Sequence, residues 1–153
     1  MKSTPVIWTC KKFNELTPTE LYAILKLRSE VFVVEQNCVY LDADGKDAQS
    51  LHLCGWLNNQ LLVAYTRLLP AGISYNEASI GRVVTNSAHR KDGYGKTLMQ
   101  KSIESVYKHF GKCPIKIGAQ QYLIKFYESF GFQVISEPYL EDGIPHVSML
   151  LNN

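Results

Sequence analysis

The stretch "HRKDGYGKTLMQ", residues 89–100, places two basic residues, two glycines and a lysine directly before an apolar helical pattern. A short turn needs at most one such glycine. A site that holds phosphate needs several, because backbone N–H groups must approach the ligand unobstructed. Gly93 and Gly95 remove Cβ atoms where the chain enters the helix. The first N–H groups of that helix have no intrahelical partner, and its dipole puts partial positive charge there. Arg90, Lys91 and Lys96 add side-chain charge at the same point, and a pyrophosphate satisfies all of these together. The bland alternative is a strand-to-helix turn with solvated lysines.

Two other nucleotide motifs fit poorly. A Walker A loop needs GxxxxGK[ST]; Gly95-Lys96-Thr97 supplies its end, but Arg90 stands where the first glycine belongs. A dinucleotide fingerprint needs three glycines and an acidic residue on the next strand, and "CPIKIG" has none.

The rest of the chain sets this turn in a regular order. "VIWTC" reads as a first strand. At 17–20, "TPTE" starts a helix with Thr17 as N-cap, Pro18 at the first helical position and Glu20 closing a capping box; Leu21, Ile24 and Leu25 carry it to about Arg28–Val33. "LHLCGWL" and "QLLVAYTRLL" are strands joined by Asn58-Asn59, a tight-hairpin signal, and "SIGRVVT" (79–85) is the next strand. Met99, Ile103, Val106 and Phe110 give the helix after Gly95 one buried face. "CPIKIGA" is a strand, "QYLIKFYESF" a helix stopped by Gly131, and "FQVIS" and "HVSMLL" are strands linked by "EPYLEDGIP". The order is strand, helix, three strands, helix, strand, helix, two strands, which predicts an α/β (α+β) fold with helices packed on a mixed sheet.

The totals bound the function. A chain of 153 residues, 46% hydrophobic and 20% charged, fits one globular domain over 1–153 with a real core. Net charge is +2, from 16 basic and 14 acidic residues, so neither a nucleic-acid nor a membrane surface is expected, and any anion site is local. Cys10, Cys38, Cys54 and Cys113 form no CxxC pair, so no metal is expected and reduced thiols are. The first residues are too weakly apolar for a signal peptide and no run spans a bilayer, which predicts a soluble cytoplasmic protein.

"SIGRVVTNSAHRKDGYGKTLM" resembles the acyl-coenzyme A segment of the GNAT N-acetyltransferases, whose signature is [Q/R]xxGx[G/A] between a central strand and a helix. "FYESFGF" (126–132) is similar to the family's second landmark, an aromatic-rich helix ending in GF, and the element order matches over nearly the whole chain. "LRSEVFVVEQNCVYLDADGKD" followed by "HL", and "EPYLEDGIPHVSM", resemble the ElaA-like subgroup. The resemblance implies a mixed, mostly antiparallel central sheet flanked by helices. It implies acetyl-CoA as co-substrate, with no metal, and a small-molecule or peptide amine as acceptor. Backbone of Val83, Val84 and Thr85 would hold the pantetheine arm like an added strand. The segment Arg90, Lys91, Asp92, Gly93, Tyr94, Gly95 and Lys96 would wrap the pyrophosphate. Tyr127 falls where the family places its general-acid tyrosine, and Gln120, seven residues earlier, stands where many relatives carry Asn. Some relatives carry a glutamate base on the strand before this helix, where this chain has Ile115.

The base therefore comes from elsewhere or is a water chain. Glu30, Glu35 and Gln36 follow the first helix, His52 begins a strand and His146 follows "DGIP"; all lie in segments expected to roof the acceptor site. Glu35 is favoured, because it interrupts the apolar run "VFVVEQNCVY" and burial would raise its pKa into a useful range. A histidine also suits a base near neutral pH, although a lone one at a strand end is more often structural. Arg67 and Arg82, on adjacent strands, either contact an acceptor carboxylate or pair with Glu30 or Asp47.

The leading expectation is direct acetyl transfer to an amine in a ternary complex. Two alternatives stand beside it: a non-catalytic acyl-CoA-binding module, and an acyltransferase like the acyl-homoserine lactone synthases, which "LRSEVF" also resembles. A homodimer is compatible with the sequence, though no motif demands one.

Overall fold

The computed structural model describes residues 5–58 and 60–152. Strands β1 (Val6–Lys12), β2 (Leu51–Leu57), β3 (Leu61–Leu69) and β4 (Ala78–Thr85) run antiparallel in sequence order. β5 (Ile115–Gln120) joins β4 in parallel, and β8 (Ile144–Leu151) follows antiparallel to β5. The far edge of β8 is shared by β6 (Gln133–Val134) and β7 (Tyr139–Glu141). Helices α1 (Pro18–Arg28), α2 (Tyr94–Phe110) and the short α3 (Ile124–Glu128) cover the sheet. This is the expected mixed, mostly antiparallel sheet flanked by helices.

Alternation along β2 assigns the two faces. Leu51 and Leu53 point to the side of α2, where Met99 and Val106 pack with Ile115, Ile117, Tyr127 and Met149, and Leu98 with Ala64. Cys54 and Trp56 point to the other side, against Ile24 and Leu27 of α1. Six of the seven residues of β2 are buried, as a strand covered on both faces requires.

Local signals set the helix starts. Thr17 Oγ1 accepts from the Glu20 amide at 3.1 Å while Glu20 accepts from the Thr17 amide at 2.8 Å, closing the capping box with Pro18 inside it. Gly93 caps α2 with φ 78°, a left-handed conformation that disfavours any residue with a Cβ. The hairpin turn expected at Asn58-Asn59 shows Asn58 at φ 57° and the Gln60 amide donating to the Leu57 carbonyl at 3.2 Å; Asn59 lies outside the described residues.

The first helix ends as α-helix at Arg28, within the expected range, and Ser29–Glu35 continue it as a π-helix, with wide bonds from the Gln36 amide to Val31 and from Cys38 to Val33. Three expectations need correction. "QYLIKFYESF" is not one helix but a 3₁₀ turn (Gln121–Leu123) followed by α3, with the left-handed Gly131 ending a run of tight turns. "FQVIS" is a strand only at Gln133 and Val134, with one further bond from the Ile135 amide to the Ser148 carbonyl at 2.9 Å. The linker "EPYLEDGIP" contains a strand, β7, because the left-handed Asp142-Gly143 pair makes the two-residue turn that lets it fold back on β8.

Candidate active site

Strands β4 and β5 register at only two places, Ala78 with Ile115 and Ser79 with Lys116. Beyond them the strands part, and a cleft of about 400 Å³ opens between Ile80–Thr85 on one side and Ile117, Gly118 and Gln120 on the other. The cause lies within β4. Its register with β3 slips between Tyr65 and Arg67, so β4 carries one extra residue there, and Arg82 adopts φ 50°. Such a bulge bends a strand and sharpens its twist. The β5-facing edge of β4 is thereby left without ladder partners from Ile80 on, while its other edge stays bound to β3 through Val84 and Thr85.

The sequence-named residues fall into three groups. Val83, Val84, Thr85, Arg90, Gly95, Gln120 and Tyr127 all line this cleft. So do Glu35, Gln36, Arg82 and His146. The others do not. Lys91 and Lys96 are exposed, and Asp92 is exposed with its carboxylate 3.2 Å from His89 Nδ1. Tyr94 packs beside Leu53, Ala64 and Leu98. Of this segment, Arg90 and Gly95 are the residues that line the cleft.

Glu35 corrects its own rationale. It is exposed, at the end of the π-helix, and Arg90 donates to both its carboxylate oxygens at 2.6 and 2.9 Å. The burial expected of it is absent. Glu30 is exposed and away from the cleft.

Arg67 is likewise no acceptor ligand. Its side chain is buried, donating to Asp44 at 2.8 Å and to Asp47 at 3.1 Å. It belongs to a cluster in which Arg28, fully buried, donates to Asp42 and Asp47, both at 2.7 Å. Arg82 completes it: Nη2 donates to the Asp42 carbonyl at 3.0 Å, and Nε stands 2.9 Å from Asp42 Oδ1, off the hydrogen-bond axis. The Arg82 guanidinium also lies over Tyr40, whose hydroxyl donates to Asp42. Three arginines from α1, β3 and β4 thus hold the loop 38–50 that supplies Cys38 and Tyr40 to the cleft. Burial alone would raise Asp44, but hydrogen bonds from Arg67 and the Lys46 amide outweigh it and hold its pKa well below the usual range.

His52 is structural. It is fully buried, with Nε2 donating to the Asp47 carbonyl at 2.9 Å and Nδ1 accepting from Tyr65 Oη at 2.6 Å. Burial lowers its pKa and keeps it neutral. Tyr127 is 5% exposed in an edge-on aromatic nest with Phe126 and Phe132. Burial raises its pKa, so the phenol keeps its proton, as a donor must.

Among the cleft residues that sequence reasoning did not single out, Cys38, Gly118, Glu141 and Asp142 shape its walls. Cys38 is buried in the wall, its thiol donating to the Asp142 carbonyl at 3.4 Å. Gly118 lines the cleft, and a Cβ there would stand 3.1 Å from Tyr139 Oη and 3.3 Å from Tyr75 Oη, a tight approach. Glu141 and Asp142 come from the turn between β7 and β8; the pattern "EDG" before an apolar run was the available signal. None of the four cysteines is in a disulfide. Among the described residues no cluster of His, Cys, Asp or Glu could hold a metal ion, and no helix is long and apolar enough to cross a membrane.

A splayed parallel pair, a bulged strand with a free edge and a glycine-capped helix beside it thus build one cleft. The acetyltransferase (GNAT) domain model matches residues 49–152, and the chain belongs to that family. Within it the chain is ElaA-like: it is 44% identical over 144 residues to protein ElaA of Escherichia coli, covering 93% of this chain and 94% of that one. The crystal structure of E. coli ElaA superposes with a TM-score of 0.88 at 43% identity, over 95% of this chain and 98% of that one. An acyl-CoA N-acyltransferase from Pseudomonas aeruginosa gives 0.90 at 42%, with the same coverage. A CoA-dependent acyl-homoserine lactone synthase, BjaI, gives 0.77 at 15% identity over 96% and 83% of the chains, a likeness of fold alone.

Proposed function

We propose that this chain is an acetyl-CoA-dependent N-acetyltransferase that works as a single domain and transfers the acetyl group directly to a small-molecule or peptide amine. The free edge of β4 facing the cleft carries this reading. Pantetheine contains two peptide-like amides, and an unpaired strand edge is the surface that binds such groups in extended form. That edge leads from Val83–Thr85 to the turn before α2, where the first amides of a 17-residue helix and the Arg90 side chain suit a pyrophosphate. Arg90 would leave Glu35 to bind it.

Direct transfer needs a positioned amine, a polarised thioester and a proton donor for the departing sulfur. Tyr127, protonated and lining the same cleft, suits the donor role. Cys38 gives its S–H to a backbone carbonyl, which does not favour it as an acyl-carrying thiolate.

Thermal unfolding with acetyl-CoA, CoA, ATP and NAD in parallel tests the reading. A ligand at a hundred times its Kd adds about 2.7 kcal/mol, or several degrees for a domain of this size. Stabilisation by the two CoA species alone supports the reading; none from either overturns it.

A further inference from the structure

An amine that attacks a thioester must lose a proton, and Glu35 lacks the burial that would suit it to take one. Another residue lining the same cleft offers a better group. His146 sits on β8 with its Cα opposite Gln120 of β5 and Tyr139 of β7. Its side chain is only 8% exposed, lines the cleft and stacks on the Tyr139 ring at 6.0 Å and 25°.

The tautomer is fixed by one contact. Nδ1 lies 2.7 Å from the Ile144 carbonyl oxygen, and a carbonyl only accepts, so Nδ1 carries the hydrogen. The lone pair of the neutral ring is then on Nε2. That nitrogen stands 3.5 Å from Oε2 of Glu141, a carboxylate that also lines the cleft and is 56% exposed. With a lone pair on each side the contact is no hydrogen bond. It becomes an ion pair when Nε2 gains a proton.

We propose that His146 is the general base of the transfer and that Glu141 is a positioning residue that stabilises the imidazolium His146 becomes. The proposal rests on reading the cleft as an acyl-CoA site. As the acceptor nitrogen bonds to the thioester carbon, Nε2 takes one of its protons. Collapse of the tetrahedral species breaks the C–S bond, and Tyr127 gives the thiolate a proton. The proton on His146 then returns to the tyrosinate through solvent, leaving an amide, a thiol and the protein unchanged.

The charged surroundings single out Glu141. Arg82, across the cleft, is bound by Asp42 and Asp44, and Arg90 by Glu35. Asp142 adds a second carboxylate in the adjacent turn. The phenols of Tyr139 on β7 and of Tyr40, Tyr122 and Tyr127 along the cleft contribute hydrogen-bonding groups rather than charge.

The test is thiol release from acetyl-CoA as a function of pH, with water as the acceptor probe, alongside stabilisation by CoA. His146→Asn keeps an amide N–H near the position of Nδ1–H. It should lower the rate by about 100-fold or more and erase the fall in rate at acid pH, with CoA stabilisation unchanged. Glu141→Gln keeps the base but removes the anion that favours its charged form, so the acid limb should move to lower pH. If His146→Asn does not fold, the Glu141→Gln shift decides alone. An unchanged profile in either folded variant overturns the proposal, as does wild-type release no faster than spontaneous hydrolysis while CoA still stabilises the protein. Absence of CoA stabilisation in the wild type overturns instead the reading on which the proposal rests.

Discussion

Arg90 grips Glu35 through two hydrogen bonds, Nη1 to Oε2 at 2.6 Å and Nη2 to Oε1 at 2.9 Å. The pair ties the turn before α2 to the end of the π-helix, across the mouth of the cleft. One residue is proposed for the pyrophosphate and the other was expected to serve the acceptor, so a ligand that takes Arg90 releases Glu35.

Glu35 therefore competes with the pyrophosphate for one guanidinium. An exposed pair contributes about 0.2–1 kcal/mol. Glu35→Gln should accordingly tighten CoA by roughly 1.4- to 5-fold. Arg90→Ala should weaken it by about tenfold or more, as loss of a charged hydrogen bond does. Calorimetric titration checks both. The gain from Glu35→Gln should vanish in the Arg90→Ala background, and a gain that persists there would mean that Glu35 acts on the ligand by another route.

Tyr127→Phe removes the donor and leaves the aromatic nest in place. Turnover should fall by about 100-fold, while CoA affinity and Tm stay close to those of the wild type. Parallel loss of binding and rate would assign Tyr127 to packing.

Arg28 joins α1 to the loop 38–50 through Asp42 and Asp47. Arg28→Ala leaves both carboxylates without their buried partner, at a cost of about 3–5 kcal/mol. The midpoint of thermal unfolding should drop by roughly 6–20 °C, at about 2–4 °C per kcal/mol for this size. A drop of a degree or two would show that Arg67 and Arg82 hold the loop by themselves.

Acid should destabilise the fold in two stages. His52 is held neutral below its ordinary pKa, first by burial, so its contribution is present above about pH 6.5 and fades as pH falls, because the unfolded chain binds that proton first. Asp44 and Asp47 are held low by Arg67 and Arg28 against the opposing effect of burial, so their contribution is lost only below about pH 4. Urea unfolding between about pH 2 and 8 checks both stages. His52→Asn should remove the upper stage and leave the lower one.

The sequence by itself determined the order of elements apart from β7, the capping box at Thr17, the glycine-capped entry to α2 and the residues that face the cleft from β4 and α3. These follow from periodicity and from special backbone positions, which are properties of neighbouring residues. It also carried the family resemblance, because the glycine turn and the aromatic helix are contiguous motifs. Only the tertiary structure decided which charged residues are partners. Arg67 and Arg82 meet Asp42, Asp44 and Asp47, and Arg90 meets Glu35, over separations that no local pattern encodes. The exposure of Glu35 and the burial of His146 have the same origin: each depends on what packs against it from a distant segment. The apolar run around Glu35 suggested burial, but a π-helix turns that carboxylate outward, and a two-residue turn at Asp142-Gly143 brings Glu141 beside His146. Burial and charge pairing are set by three-dimensional neighbours, and those settle which carboxylate or imidazole is free to take a proton.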